Sequence, residues 1–279
     1  MSMWIGHPGA LREIRDGAAS FDRTPDLEVV EFRSLAGAVT TWAPPVRPRR
    51  LKLSWEAMER GDVDHLDRLA RRVDAPGPVA VLDPLSRNVL TADQGAGLGA
   101  AAGKWSWNTA ELGLYGGQFG AYLANSVSVD SVPVDGAALY WDHPVWPGFP
   151  VAAGVPFTWW VPGLRAAGAA LRALRIDWHD ASGAYLSGNS TTNVTRPMVA
   201  TPHSRAVYAR PSVRFAATGL WQLGASVLAV GDASAALAAG EIPAGEGCPP
   251  YSVTSYSHAA TPGDGRYRDL SLELTEVVA

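Results

Sequence analysis

Alternation of apolar and polar side chains dominates this chain. Arg50-Leu51-Lys52-Leu53-Ser54-Trp55 places Leu51, Leu53 and Trp55 on one face and polar groups on the other, which predicts a half-buried strand. Leu174-Arg175-Ile176-Asp177-Trp178-His179 does the same, with Leu174, Ile176 and Trp178 inward and Arg175, Asp177 and His179 on a polar face. Asp180-Ala181-Ser182-Gly183 then reads as a turn, and Ala184-Tyr185-Leu186 as the returning strand of a hairpin. Near the C-terminus, Leu270 to Val277 alternates again, with Leu270, Leu272 and Leu274 on its apolar face. Shorter runs that read as strands are Glu28–Phe32, Val39–Trp42, Val79–Leu82, Val155–Val161, Val207–Ala209, Val213–Phe215 and Leu220–Leu223. Val127-Ser128-Val129 and Val132-Pro133-Val134 also alternate, but their phase flips at Ser131, which predicts a bulge or a turn there.

One helix stands out. Val63, Leu66, Leu69, Ala70 and Val73 recur at helical spacing, with Asp62 as the expected N-cap and Pro76-Gly77-Pro78 as the stop. Asp64 and Asp67 lie toward its N-terminus and Arg71 and Arg72 toward its C-terminus, as the helix dipole favours.

Charge divides the chain. Residues 1–93 carry 27 Asp, Glu, Lys and Arg, whereas residues 94–247 carry only 17 over a much longer stretch. Tryptophan runs the other way, with three in the first segment and eight in the second. A composition break of this kind marks a domain boundary. Gln94 to Gly103 falls at the break and is rich in Gly and Ala, so it reads as a flexible linker. The expected organisation is a first domain over 1–93, completed by a returning strand within 248–279, and a second domain over 94–247. Short strands at regular spacing in the second domain predict a β-sandwich or jelly roll.

The chemistry-bearing residues are sparse. The six histidines are scattered, and the single cysteine, Cys248, sits among Gly, Glu and Pro, so neither a metal site nor a reactive thiol is expected. Gly95-Ala96-Gly97-Leu98-Gly99-Ala100 matches a dinucleotide fingerprint, but no strand leads in and no amphipathic helix follows. No nucleophile elbow is found. Asp177 and Asp180 are the one carboxylate pair near tryptophans, and a polar strand face explains them better than glycoside hydrolysis. No catalytic residue, cofactor or metal is therefore assigned. A net charge of −4 gives no pull toward nucleic acid, and no apolar run is long enough to span a membrane. The N-terminal residues lack a basic segment followed by an apolar one, so synthesis and folding in a cytoplasm are expected. Arg47, Arg49, Arg50 and Lys52, with Trp42 and Trp55 nearby, form the one basic cluster and suggest an interface. Trp42, Arg47, Arg49 and Arg50 are its candidate assembly residues.

Eight tryptophans in the second segment exceed what one core needs, and aromatic faces stack on sugar rings. The candidate glycan contacts are Trp146, Trp160, Trp178 and Tyr185. Trp159 and Trp160 are adjacent, so a strand sends them to opposite faces, and one leaves the core unless a further layer covers it.

Several short motifs in the first segment act together: Ser34-Leu35-Ala36-Gly37 with Thr41-Trp42, Leu51-Lys52-Leu53-Ser54-Trp55-Glu56, the Asp62–Val73 helix, Gly77-Pro78-Val79-Ala80, Leu82-Asp83-Pro84 and Asn88. On these residues the segment resembles the N-terminal domain of the distal tail or minor tail protein family of long-tailed bacteriophages. Gly247-Cys248-Pro249-Pro250 with Leu270–Val277 looks like the returning strand of that domain. The middle segment carries Val145-Trp146-Pro147-Gly148, Pro156-Phe157-Thr158-Trp159-Trp160, Ile176 to Gly183, and Ala206-Val207-Tyr208-Ala209-Arg210-Pro211. There it resembles jelly-roll carbohydrate-binding modules. Such modules often hold calcium through an Asp-Asp pair near the last strand, and Leu223-Gly224-Ala225-Ser226-Val227 stands in that place here, so no calcium is carried over.

The resemblance implies a mostly β protein: a small α+β tail-ring domain, barrel-like with one helix, joined to a β-sandwich domain of jelly-roll type. It implies a structural role at the virion tail tip, as a homo-oligomeric ring of six copies below the tail tube. Its partners would be the tail tube, the tail-tip hub and host-surface glycan. A monomeric carbohydrate-binding protein is the alternative.

Overall fold

A computed structural model describes residues 3–25, 29–43, 48–82, 88–116, 124–134, 136–260 and 266–277. Glu28, Arg47 and the Asp83-Pro84 pair lie outside the described residues. In chain order the first elements are β1 (Met3–Gly6), β2 (Arg12–Ile14), β3 (Ser20–Pro25), β4 (Val30–Arg33), β5 (Val39–Trp42), β6 (Arg49–Glu59), α1 (Arg60–Ala70) and β7 (Ala80–Leu82). There follow α2 (Ala92–Ala96), β8 (Trp105–Trp107), β9 (Leu112–Tyr115), β10 (Ser126–Val129), β11 (Ala137–Trp141), β12 (Phe149–Pro150), β13 (Phe157–Trp160) and a 3-10 segment, Pro162–Ala170. The remainder is β14 (Leu171–His179), β15 (Tyr185–Thr191), β16 (Met198–Ala200), β17 (Tyr208–Phe215), β18 (Gly219–Gln222), β19 (Val227–Val230), α3 (Ser234–Ala238), β20 (Tyr251–Ala260) and β21 (Tyr267–Glu276). The protein is mostly β, with several sheets and few short helices.

Two compact units result. The first comprises Met1–His7, Arg12–Val81 and Pro249–Ala279; the second comprises Pro8–Leu11 and Leu82–Cys248. In the first, four antiparallel strands run in the order β20-β21-β6-β3. Register pairs Leu51 with Leu274 and Leu53 with Leu272, so the alternating leucines of β6 and β21 share one face. That face is buried with Trp55, Met58, Tyr251 and the apolar side of α1, namely Val63, Leu66 and Leu69. β4 and β5 form a separate two-stranded ribbon.

The helix differs from the sequence expectation at both ends. It starts at Arg60, and the flanking Glu59 makes no side-chain cap. Asp62 is already helical, and its carboxylate accepts from Arg12 Nε at 3.0 Å, so an ion pair holds the residue that spacing suggested as a cap. Val73 lies beyond the helix end and is 58% exposed, because Arg72 turns the chain away with φ of 54°.

In the second unit a sheet of order β15-β14-β17-β11-β8 faces smaller sheets, β16-β13-β19 and β18-β10-β9. Aromatic rings join the layers. Trp141 of β11 meets Trp159 of β13 edge-on at 4.9 Å, Phe157 of β13 meets Trp178 of β14 at 6.4 Å, and Phe215 stacks on Trp221 at 5.2 Å. The runs Val207–Ala209 and Val213–Phe215 belong to the single strand β17. Pro211 sits where the neighbour on one side changes from β11 to β12, a break in the ladder that tolerates a missing N–H. Val132-Pro133-Val134 forms no strand, and Val134 is 99% exposed.

The segment Gln94–Gly103 is not a flexible linker. Thr91 and Gln94 form a capping box at the start of α2, and Gly97 closes the helix with φ of 72°. The Gln94 amide is fully buried and donates to the carbonyls of Lys104 and Asp142, each at 2.7 Å. A Cβ on Gly95 would lie 2.8 Å from Gly245 N, and one on Gly97 would lie 2.6 Å from Gly224 O. These glycines permit close backbone approach rather than supply freedom. Buried Asn88 pins the same region: its amide donates to Ser226 O and Pro243 O, and its carbonyl accepts from Leu90 N and Leu228 N.

Candidate functional site

The inward side chains of β14 and β17 are fully buried, including Leu174, Ile176, Trp178 and Val213. Strand alternation therefore sends Arg175, Asp177, His179, Tyr208, Arg210, Ser212 and Arg214 to the opposite face of the sheet. Register lines them up. Ser106, Tyr140, Ser212, Arg175 and Ser190 form one row across the five strands. Arg210, Asp177 and Gly188 form the next, and Tyr208, His179 and Tyr185 a third.

Two guanidinium clusters occupy this face. Arg175 donates from Nε to Asp177 Oδ1 at 2.5 Å and from Nη2 to the Tyr185 hydroxyl at 3.0 Å. Arg210 donates from Nε to Asp142 Oδ1 and from Nη2 to Ser106 Oγ, both at 2.7 Å, and lies 4.4 Å from the Tyr140 ring centre. Partial burial opposes the Arg175 charge, but the hydrogen bond and charge of Asp177 outweigh it and hold this guanidinium above its usual range. Gly188 makes room: a Cβ there would lie 2.5 Å from Asp177 Oδ1 and 2.8 Å from Arg175 Nη2.

Two buried polar atoms on the same face have no partner among the described residues, Ser212 Oγ and His179 Nε2. His179 Nδ1 donates to Gly183 O at 3.0 Å, and its Nε2 meets no partner among the described residues. The surface thus combines planar cations, carboxylates, exposed Tyr185 and unmet hydrogen-bonding capacity. That is equipment for holding a hydroxyl-rich ligand. It is poor equipment for acid–base hydrolysis, since Asp177 is locked to Arg175. Hydrogen bonds from Ser182 and Ala184 push the Asp180 carboxyl down, opposite to what a general acid needs.

The residues singled out from sequence separate. Tyr185 lies on this face and is 56% exposed. Trp178 and Trp160 do not offer a surface: their exposures are 0% and 5%, so the expectation of glycan contact at these two is corrected by burial. Trp178 donates from its indole to Asn189 Oδ1 at 2.6 Å at the sheet edge. Trp160 lies under Arg165 of the 3-10 segment, 5.9 Å away, which is the covering layer its position demanded. Trp146 is half-buried and stacks on His143 at 4.9 Å. His143 Nδ1 accepts from the N–H groups of Val145 and Trp146, and Nε2 donates to Cys248 O at 2.9 Å. Burial pushes this imidazole down to about 4.

In the first unit, Arg49 pairs with Glu276, its backbone N–H donating at 3.0 Å, and Arg50 extends from the outer face of β6. Trp42 lies instead on the β4–β5 ribbon. It is opposite Val30 and on the same side as Phe32, and these three are 55%, 44% and 58% exposed. The ribbon and the basic strand are thus distinct surfaces. Sequence reasoning missed Tyr140, Asp142 and Arg210. The last two are 68 residues apart and meet only through sheet pairing. The one linear signal was the polar alternation of Arg175, Asp177 and His179. Among the described residues, no three His, Cys, Asp or Glu side chains gather into a metal site, and no helix is long and apolar enough to cross a membrane.

No protein-family description matches the chain, and no curated protein matches its sequence. A solved structure from work on the promiscuous specificity of carbohydrate-binding modules of the β-sandwich superfamily is similar to it. The match has 11% sequence identity and covers 82% of this chain and 90% of that one, with a TM-score of 0.30. A likeness this distant decides neither fold nor ligand.

Proposed function

We propose that this chain is a structural protein of a bacteriophage tail tip, whose first unit joins copies into a ring and whose second unit displays a sugar-binding sheet face. The observation that carries the assembly role is the β4–β5 ribbon. A two-stranded ribbon is marginal alone in water. This one presents Val30, Phe32 and Trp42 on one side and Leu35, 112% exposed, at its tip. Such a surface gains most by being covered.

A second, different surface lies on the same unit. Ser20, Ser54, Ser271 and Ser257 form a row across the outer face of the four-stranded sheet, beside an open groove of about 690 Å³. A ribbon with an apolar side and a sheet face of serines flanked by Arg50, Lys52 and Glu273 are unlike patches, and a closed head-to-tail ring needs unlike patches. Repetition around a ring would multiply weak sugar contacts into avidity. Negative-stain imaging and sizing of the full chain test this reading. Rings or higher oligomers that dissolve on Phe32→Ser with Trp42→Ser are expected; a monomer at every concentration overturns it. The Arg175 and Arg210 clusters favour a second reading, a monomeric carbohydrate-binding protein, which that monomer result would leave standing.

A further inference from the structure

The geometry points to an anionic, hydroxyl-rich glycan as the ligand of the outer sheet face, gripped between Arg175 and Arg210 with a sugar ring on Tyr185. This rests on the proposed sugar-binding role of the second unit and names its ligand class. Trp160 and Trp178, two of the candidate stacking residues, are in the core, so recognition on this face falls to ionic and polar groups. Arg175 and Arg210 stand on it, each beside one carboxylate, Asp177 and Asp142.

Each of Arg175 and Arg210 is already oriented by a carboxylate and a hydroxyl, and a guanidinium has more N–H donors than those partners use. The spare donors form a fixed fork, which suits a carboxylate or phosphate oxygen pair better than a lone hydroxyl. Asp142 and Asp177 keep oxygen lone pairs for sugar hydroxyls. Ser212 Oγ, between Tyr140 and Arg175 in register, and His179 Nε2, beside Tyr185, are buried beneath these side chains without partners among the described residues. The exposed Tyr185 ring gives an apolar stop for a sugar face.

The test is calorimetric titration of the full chain with three probes: an oligogalacturonate, its methyl ester, and a poly(glycerol phosphate) chain. The acidic oligosaccharide should bind at least about ten-fold more tightly than the ester, and more weakly as salt is raised. Arg210→Gln and Arg175→Gln should each cost about ten-fold or more, and Arg210→Lys should recover little because it lacks the fork. Binding of the phosphate polymer in place of the oligosaccharide, with the same arginine dependence, would overturn the sugar assignment and make the ligand an acyclic polyol phosphate. Equal binding of ester and acid, or full binding by arginine variants with unchanged unfolding curves, overturns the inference while leaving sugar binding intact. No binding by any probe removes both, and the ring assay, which does not involve this face, still reports on assembly.

Discussion

The two units differ in how much of their tryptophan they bury. The second unit has the tryptophan surplus, yet Trp105, Trp141, Trp159, Trp160 and Trp178 are all buried. The first unit has few tryptophans, yet places Trp42 in the open on a ribbon with Phe32 and Val30. Abundance of an aromatic type therefore says little about where recognition occurs. A thick sandwich between three sheets consumes large side chains, and its outer face is left to Arg, Asp, Tyr and Ser. A small sheet covered by one helix fills with leucine and can leave aromatics outside.

The largest expected contrast separates these roles directly. Trp178→Ala should destabilise the protein by about 3–5 kcal/mol, since it empties a fully buried site. Trp42→Ser should change stability by no more than about 0.5 kcal/mol. Denaturant melts of both variants measure the difference, and equal losses would mean that the ribbon is packed like a core.

His143 sharpens the contrast through pH. Its unfolded value is near 6.5, whereas the folded ring titrates at about 4. The unfolded chain thus binds the proton first as pH falls, and stability is lost between about 6.5 and 4, by roughly 3 kcal/mol in all. Protonation would also turn Nδ1 into a donor facing two N–H donors. Melts across this range should show the loss in the second unit, and His143→Gln should flatten it. A wild-type profile with no slope there would contradict the burial assigned to this ring.

Gly95→Ala should cost about 1–3 kcal/mol by forcing apart backbones that now touch. A neutral result would restore the flexible-linker reading of that segment. At the small end, Asp62→Ala in the first unit should cost no more than about 1 kcal/mol, because its partner Arg12 is half exposed. A loss several times larger would mean that the helix depends on this pair.

Much of the fold was legible where one physical signal acts alone. Alternation located β6, β14, the β14–β15 hairpin and β21, because each has one wet and one dry face. Helical spacing located α1, although its N-cap lies three residues earlier than expected, at Glu59 in place of Asp62, since a helical Asp with an arginine partner looks like a cap in sequence. The glycines of 95–103 were misread because composition cannot distinguish a glycine needed for freedom from one needed for contact. Pro211 hid the continuity of β17, since the change of partner that accommodates it exists only in the sheet. The candidate site was legible in half. Arg175, Asp177 and Tyr185 lie within one hairpin, but Tyr140, Asp142 and Arg210 join them through strands distant in the chain.

We propose that one unit assembles copies while the other presents a polar sheet face. Sedimentation velocity of the full chain over a wide concentration range, beside the Phe32→Ser, Trp42→Ser double variant, tests it most directly. Concentration-dependent oligomers are expected for the natural sequence, and for the variant a folded monomer whose unfolding midpoint equals that of the natural chain when both are dilute enough to be monomeric. A natural chain that stays monomeric throughout, or a variant that assembles equally well, would contradict it.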